Sequence, residues 1–310
     1  MQGTLVGIVG PTATDKTAVG IELAKRLDGE IISADSMAIY KGMDIGTAKP
    51  SAAERDDVPF HLIDAVYPDE EFSVAEFKQL AEHATRDIIS RGKLPILVGG
   101  TGLYIRAVTV GLNIPRVGPD RKLREQLKAE AAEFGSRYLL DRLRAVDPIT
   151  AERLHENDLK RIIRAIEVHA LTGLPISHFH EVSGKTEVPF DVQLFGLTMS
   201  RQALYERIER RVDEQIEAGL IEEVRGLLGK GYTTDLPSMK GLGYKQIAGY
   251  LKDEYSLQIA IDLLKRDTRR FAKRQFTWFR ADPRIRWMDV EGHAAIEVAE
   301  EIADILKSKN

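Results

Sequence analysis

The first hundred or so residues alternate between short apolar runs and segments with helical periodicity. Apolar runs typical of buried strands occupy Leu5–Val9, Glu30–Asp35 and Leu94–Val98. Between them, Ala18–Leu27 and Ser73–Arg91 carry apolar residues three and four positions apart, which predicts helices with one buried face. Strands that alternate with helices are typical of a parallel α/β sheet with helices on its faces.

The pattern changes after residue 114, where no strand-like run appears for about sixty residues. Helical patterns lie at 120–134, 136–146 and 158–171. Alternation returns at Phe190–Leu197 and predicts a strand that rejoins the sheet. Later segments are mostly helical, with a last strand predicted near Arg284–Met288. We therefore predict the first part of a P-loop α/β core at 1–114, an all-helical insert at 115–190, and at 191–310 the return to the core with C-terminal helices.

Composition narrows the class of protein. The chain has 310 residues, 43% hydrophobic and 30% charged, as in soluble globular proteins. No apolar run approaches the roughly 18 residues of a membrane span, and the chain opens directly on a strand pattern rather than a leader. With no cysteine, disulfides, thiolate metal sites and a cysteine nucleophile are excluded. We expect a cytoplasmic monomer without membrane association.

A phosphate-binding loop follows the first predicted strand. Its residues are Gly10, Pro11, Thr12, Ala13, Thr14, Asp15, Lys16 and Thr17. They follow the pattern G-x-x-x-x-G-K-[ST] except at one position. Backbone N–H groups and a helix N-terminus favour an anion there, Lys16 adds positive charge, and the Thr17 hydroxyl suits Mg²⁺ shared with phosphates. An ordinary strand–turn–helix corner is the alternative.

Two further predicted strands end in polar or glycine-rich segments. Asp35 ends the second strand, and Gly99-Gly100-Thr101 follows the strand at 94–98. Ligands of open α/β sheets bind beyond the carboxyl ends of the strands, so we expect Gly10, Asp35 and Gly99 at one crevice. Asp35 could act there as a general base, a Mg²⁺ ligand through water, or only a helix cap. The glycine-interrupted segment Met37–Pro50 is interpreted as a substrate loop.

The strongest local charge lies between Lys265 and Arg280. This segment has seven basic residues and one acid, in a chain whose net charge is −4. Phe271, Phe276, Trp278 and Phe279 lie among the cations. Basic residues mixed with aromatics suit a phosphate backbone and stacked, unpaired bases. The alternative is an amphipathic helix with aromatics in the core and cations in solvent.

Several motifs, taken together, resemble the bacterial tRNA dimethylallyltransferase family. They cover nearly the whole chain in order: Gly10–Ala13 with Lys16-Thr17, Ser33–Ser36 with Tyr40–Pro50, Gly99–Tyr104, Asn157–Arg161 with Arg164, Gly243-Tyr244 and Ala272–Arg280. The resemblance implies transfer of a dimethylallyl group from dimethylallyl diphosphate to N6 of the adenosine 3′ of the tRNA anticodon, with Mg²⁺ and release of diphosphate.

The resemblance also implies a role for each motif. The P-loop would hold the diphosphate leaving group, Asp35 would accept the proton of the adenine amine, and Thr101 would hold the nucleotide or the diphosphate. The insert and the segment 240–245 would grip the anticodon stem-loop. The residues implied to contact tRNA are Asp35, Ser36, Met37, Ala38, Thr101, Arg124, Lys160, Arg161, Ile162, Ile163, Arg164, Lys240, Gly241, Leu242, Gly243, Tyr244, Lys245, Lys273, Arg274, Gln275, Trp278 and Arg280.

Asp15 departs from this pattern, because the motif and the family have glycine there. Its carboxylate would lie near bound phosphate, and glycine at this position is expected to lower the KM for the prenyl diphosphate. The departure concerns affinity for the diphosphate rather than the fold.

Two other functions fit part of the pattern. A small-molecule or nucleotide kinase that binds ATP explains the P-loop and Asp35 but neither the basic-aromatic segment nor the insert. A non-catalytic RNA-binding P-loop module explains the cations but leaves Asp35 and Thr101 without a role.

Overall fold

A parallel sheet forms the centre of the larger part of the molecule. The computed structural model describes residues 3–182 and 188–308. Within them, six strands pair in the order β3-β2-β4-β1-β5-β6, and every neighbouring pair is parallel. The strands are β1 Thr4–Val9, β2 Gly29–Ser33, β3 Phe60–His61, β4 Leu94–Gly99, β5 Asp191–Thr198 and β6 Ile285–Asp289. The predicted α/β class is confirmed.

Helices connect and cover the strands. They are α1 Lys16–Arg26, α2 Ala52–Arg55, α3 Val74–Ser90, α4 Gly102–Thr109, α5 Arg121–Phe134, α6 Ser136–Val146, α7 Pro148–Arg153, α8 Leu159–Thr172, α9 Ile176–Val182, α10 Arg201–Glu217, α11 Leu220–Gly229, α12 Tyr244–Leu251, α13 Leu257–Arg280 and α14 Ala295–Lys307. In both described stretches, every helix lacks the combination of length and apolar character needed to cross a bilayer. The sequence did not indicate α2, α4, α7 or α9, because such short helices show too little periodicity.

The larger unit is discontinuous in sequence. It comprises Met1–Phe72, Glu76–Ile105 and Pro189–Asn310. The strand β5 enters the sheet late in the chain and pairs with β1, with Val6 opposite Gln193. On its other side β1 pairs with β4, with Val6 opposite Ile96. The strand β1 is therefore central and buried on both faces, which explains its uninterrupted apolar sequence.

The smaller unit is all-helical. It comprises Ser73–Ala75 and Arg106–Val188, whereas the sequence placed the insert at 115–190, of which residues 183–187 lie outside the described part. Its core is formed by α5, α6, α7 and α8, around Leu127, Leu143 and Ile162. Asp120 begins α5 as its N-cap, because its side chain accepts a hydrogen bond of 3.0 Å from the Leu123 N–H.

A buried carboxylate on the strand β2 stabilises the larger unit. Glu30 on β2 is only 3% exposed, and its oxygens accept hydrogen bonds of 2.8 Å from Arg91 and from the His61 ring. The Arg91 guanidinium, assisted by His61, outweighs the effect of burial and holds the pKa of Glu30 at about 2. A carboxylate whose pKa is lower in the folded than in the unfolded chain stabilises the fold above its unfolded pKa.

Glu30→Gln tests this contribution. At pH 7 we expect the substitution to lower the free energy of unfolding by roughly 1–3 kcal/mol, because Arg91 loses a charged acceptor. The wild-type advantage should shrink as the pH falls from about 4.3, the ordinary glutamate value, towards 2, since Glu30 is then protonated on unfolding. Urea unfolding at several pH values measures this difference. Glu222→Gln, at an exposed pair with Arg225, is the control; a pH-independent loss in Glu30→Gln would contradict the account.

Candidate active site

A cleft of about 1080 Å³ opens at the carboxyl ends of the neighbouring strands β2, β4 and β1. Its walls include the P-loop, the segment 35–38 after β2 and the segment 99–101 after β4. The structure thus brings together the three strand ends that the sequence predicted to meet. A cleft of this size holds a small ligand with room for part of a larger one.

The P-loop is shaped by its own hydrogen bonds. The Thr14 hydroxyl donates to the Pro11 carbonyl at 2.9 Å, and Lys16 Nζ donates to the same carbonyl at 2.5 Å. At Gly10 the backbone has φ 144°, and a Cβ would lie 2.7 Å from the Leu197 carbonyl oxygen of β5, so only glycine fits. The loop therefore turns tightly and presents Lys16 and Thr17 at the start of α1.

Two cations lie together in the cleft. Burial and the nearby Arg211 guanidinium lower the pKa of Lys16 to about 8, while Asp35 and Asp15 oppose this shift. Burial likewise lowers the pKa of Arg211, which α10 places in the cleft wall. Both cations would be stabilised by an anion. Arg211 belongs to none of the motifs found in the sequence. The sequence feature that indicates it is its spacing of four residues from Arg207, which places both on one face of α10.

Asp35 has both a structural contact and a free oxygen. Its Oδ1 accepts hydrogen bonds from the backbone N–H of Met37 at 2.8 Å and of Ala38 at 3.3 Å. Residues 36–39 form a turn and not a helix, so Asp35 holds this turn and is not the helix cap that the sequence left open. Because every hydrogen bond to this carboxylate from the described residues goes to Oδ1, Oδ2 is available to a ligand in the cleft.

Thr101 links the ends of β2 and β4. Its Oγ1 accepts a hydrogen bond of 3.1 Å from the Ser36 N–H and lies 3.3 Å from the Ser36 hydroxyl, while its own N–H donates to the Ala34 carbonyl. The approach is so close that a Cβ at Gly99 would lie 2.2 Å from that carbonyl oxygen. Thr101 therefore fixes Ser36 beside Asp35 and also lines the cleft.

Gln275 of α13 joins the P-loop to the end of β4. Its Oε1 accepts from the Thr12 N–H, and its Nε2 donates to the Gly100 carbonyl, each at 2.9 Å. A Cβ at Gly100 would lie 2.3 Å from this Nε2. The sequence assigned Gln275 to tRNA contact, but it is only 6% exposed and both ends of its amide are engaged. The structure corrects that assignment: Gln275 supports the phosphate-binding loop.

The basic-aromatic segment is the last two thirds of α13, and its cations differ in their environments. Salt bridges join Lys265 to Asp213 and Arg269 to Glu209, and Arg266 and Arg270 both face Asp267. Within the described residues, no acidic side chain pairs with the remaining cations Lys273, Arg274 and Arg280. All three are exposed, and Arg274 lines the cleft. The unneutralised charge is thus confined to the last two turns or so of the helix.

The aromatics of α13 divide in the same way. Phe279 is buried and Phe276 stacks on Trp287 of β6, so both belong to the core. Phe271 is half-buried in the cleft wall, and Trp278 is 39% exposed. The Trp278 ring lies so near Gly102 that a Cβ there would be 2.1 Å from Cδ1. The core interpretation therefore holds for Phe276 and Phe279, whereas contact of Trp278 with tRNA stays a prediction.

The segment around α12 contains both surface and core residues. Lys240, Gly241, Leu242 and Lys245 line the cleft, as do the predicted contacts Ser36, Met37 and Ala38. Tyr244 was also predicted to contact tRNA, but it is fully buried and its hydroxyl donates to Glu223 at 2.7 Å. Gly243 beside it is buried as well. The structure corrects both assignments.

In the smaller unit, the predicted tRNA contacts also separate into core and surface. Ile162 and Ile163 are buried on α8, which contradicts their assignment as direct contacts. Arg124 and Arg164 donate at 2.7–2.8 Å to Glu167, whose side chain is 0% exposed, so their charges balance this buried carboxylate. Lys160 and Arg161 lie exposed at the start of α8. Arg161 lies 3.6 Å from Asp158 Oδ2, so Lys160 is the cation of this predicted face without an acidic partner among the described residues.

Binding of a metal ion in this cleft would depend on the phosphate groups of a bound substrate. Among the described residues, histidine and carboxylate side chains form no cluster of three that could hold a metal. The Thr17 hydroxyl lines the cleft beside Lys16. This donor set fits Mg²⁺ that arrives with phosphate oxygens and keeps several waters, rather than a metal held by the protein alone.

The parallel sheet and the loop at the end of β1 define a P-loop-like α/β protein. Comparison with known proteins specifies it further. The family model described as IPP transferase matches residues 38–282, and one described as Isopentenyl transferase matches residues 3–65. The tRNA dimethylallyltransferase of Desulforudis audaxviator is 55% identical over 93% of this chain and 92% of its own. The enzyme of the same name from Pelotomaculum thermopropionicum is 52% identical over 96% and 95%.

Solved structures give the same result. A tRNA isopentenylpyrophosphate transferase from Bacillus halodurans superposes with a TM-score of 0.72 at 44% identity, covering 99% of this chain and 97% of its own. A eukaryotic dimethylallyltransferase acting on tRNA gives a TM-score of 0.82 at 27% identity, covering 99% and 80%. The chain belongs to the IPP transferase family, the prenyltransferases that its motifs resemble.

Gln275→Leu tests the link between α13 and the P-loop. We expect a loss of roughly 1–3 kcal/mol in the free energy of unfolding, because the Thr12 N–H and the Gly100 carbonyl lose buried partners. Urea unfolding measures it. Gln258→Leu, which removes an exposed amide bonded to Asp262 on the same helix, is the matched control and should change stability by about 0.5 kcal/mol or less. Equal effects of the two substitutions would contradict the assigned role.

Proposed function

We propose that the chain transfers a dimethylallyl group from dimethylallyl diphosphate to N6 of the adenosine 3′ of the anticodon in tRNA, releasing diphosphate. The observation that carries this proposal is the juxtaposition, in one cleft, of a P-loop, the cations Lys16 and Arg211, and the Asp35 carboxylate. The first two features suit a diphosphate, and the third suits an amine that loses a proton. Relatives named as tRNA dimethylallyltransferases support the donor and the acceptor.

The cleft would stabilise the diphosphate leaving group of the prenyl donor. As N6 bonds to the allylic carbon, the carbon–oxygen bond to the diphosphate breaks and negative charge grows on the leaving group. Lys16, Arg211 and the N–H groups of the P-loop are positioned to stabilise that charge. Mg²⁺, held by the Thr17 hydroxyl and the phosphates, would supply further positive charge to the leaving group.

The proton of the adenine amine has an acceptor in the same cleft. Asp35 Oδ1 is held by two backbone N–H groups, which fix the carboxylate and leave Oδ2 without a hydrogen bond from the described residues. Asp35 would take the proton as N6 forms its new bond. The adenine must leave its stack to reach the cleft, which costs a few kcal/mol and less in a loop than in a duplex.

Surface cations of the larger unit would hold the tRNA backbone. Lys240, Lys245 and Arg274 line the cleft, and Lys273 and Arg280 are exposed on α13. Trp278 offers a partly exposed aromatic face for a base. In the smaller unit, Lys160 and Arg161 are the exposed candidates. We also propose a cytoplasmic monomer; a chain without cysteine suits a reducing compartment.

The prenyl-transfer assay tests the function. Incubation with dimethylallyl diphosphate, Mg²⁺ and unmodified tRNA should give a prenylated adenosine by mass spectrometry, and a transcript with guanosine at the target position should give none. The relatives do not favour a kinase or a non-catalytic RNA-binding module. ATP-dependent phosphorylation of a small molecule without any prenyl adduct would contradict the proposal.

Asp35→Asn tests the general base while keeping the Oδ1 acceptor of the turn. We expect kcat to fall by about 10²–10⁴, with little change in the Kd for tRNA. Asp35→Ala should lose turnover too, but it also removes the hydrogen bonds of the turn. Single-turnover kinetics and tRNA binding measure the two quantities. A loss of tRNA affinity in Asp35→Asn as large as the loss of turnover would make Asp35 a binding residue instead.

The cations near the end of α13 that lack an acidic partner predict how tRNA binding depends on ionic strength. Lys273→Gln with Arg274→Gln should weaken tRNA binding and reduce the slope of log Kd against log salt by about 1 for each phosphate that the helix no longer neutralises. Lys265→Gln is the matched control, because its Nζ is already paired with Asp213 on α10. Filter binding at several salt concentrations measures the slopes. An equal effect of Lys265→Gln, or a flat salt response of the wild-type chain, would contradict the assignment.

A further inference from the structure

Asp15 places a carboxylate where the P-loop motif has glycine. Its backbone is left-handed, with φ 56° and ψ 27°, a conformation that aspartate tolerates better than most residues. Although it stands at the N-cap of α1, its side chain makes no capping hydrogen bond. The carboxylate instead accepts a hydrogen bond from Arg207 Nη1 on α10. The loop thus keeps a glycine-like backbone, and the added charge is paired with a residue far along the chain.

The charge on Asp15 reaches the anion site. The Asp15 carboxylate partly opposes the lowering of the Lys16 pKa. It therefore lies close enough to that amine to act on a ligand there as well. Both Asp15 and Arg207 line the cleft, and Arg211 lies one helical turn beyond Arg207. An unpaired carboxylate at this position would repel a diphosphate.

We propose that Arg207 is the counter-ion that neutralises Asp15 and thereby preserves the affinity of the P-loop for diphosphate. Arg207 acts through Asp15, so it is a positioning residue rather than a direct ligand. The inference rests on the proposed function only for the identity of the ligand, since inorganic diphosphate carries the same charged groups. Both side chains are partly exposed, so the expected effects are modest, roughly two- to fivefold in affinity.

Charge removal and rescue distinguish this role from direct binding. Arg207→Gln leaves Asp15 unpaired and should weaken diphosphate binding roughly two- to fivefold. Asp15→Asn, which keeps the size and tolerates the left-handed backbone, should tighten it. The double substitution restores a neutral pair and should return the Kd to near the wild-type value. Arg207→Lys keeps the charge and should retain most of the affinity. If Arg207 were instead a direct ligand, the double substitution would stay weaker than the wild type, because Asp15→Asn would not replace the lost contact.

The experiment is calorimetric titration of inorganic diphosphate with Mg²⁺ into the full chain and these variants. Thermal unfolding of each variant reports on folding. Arg26→Gln is the matched control, because Arg26 lies at the end of α1 and also pairs with a carboxylate, Glu300, but does not line the cleft. It should leave the Kd unchanged. Failure of Asp15→Asn to rescue Arg207→Gln overturns the inference, as does a wild-type chain that does not bind diphosphate.

Prenyl transfer by the wild-type chain is measured separately. Diphosphate binding with full rescue but without prenyl transfer supports the counter-ion role and contradicts the proposed function. Prenyl transfer without rescue contradicts the counter-ion role alone. The two proposals can therefore fail independently.

Discussion

The cleft is organised around two partly buried cations, Lys16 and Arg211. Loss of water lowers the pKa of both, and the nearby Arg211 guanidinium adds to the shift at Lys16. Asp35 and Asp15 compensate only in part, since Asp15 is bound to Arg207 and Asp35 to backbone N–H groups. A multiply charged anion satisfies both cations at once. The site is therefore organised for a multiply charged anion before any ligand enters.

The elements that hold this arrangement come from distant parts of the chain. The P-loop follows β1 near the N-terminus, yet Arg207 and Arg211 lie on α10 and Gln275 on α13. The loop after β2 is fixed from α11, where Glu223 accepts hydrogen bonds of 2.8–3.1 Å from the N–H groups of residues 44–46. A P-loop alone would suit many phosphate ligands. The C-terminal helices convert it into a cleft with the Asp35 carboxylate on one side and exposed cations near its edge.

The fold and the meeting point of three strand ends could be predicted from the sequence, because apolar periodicity and the rule for parallel sheets depend on local sequence. The role of a motif residue could not be predicted where that residue can be either buried or exposed. Tyr244 and Gln275 belong to recognisable motifs, but only the packing around them shows that their polar atoms bind Glu223 and backbone groups. Arg211 was missed because arginines are common on surface helices. The partner of Asp15 could not be inferred, since 192 positions separate it from Arg207.

The stoichiometry of diphosphate release tests the central claim, that this cleft binds a diphosphate as a leaving group. Inorganic diphosphate and prenylated adenosine should be measured together over one time course with tRNA and dimethylallyl diphosphate. The account predicts equal amounts of the two products, with no release when tRNA is omitted. Release of diphosphate that does not depend on tRNA, or prenylated adenosine without matching diphosphate, would contradict it.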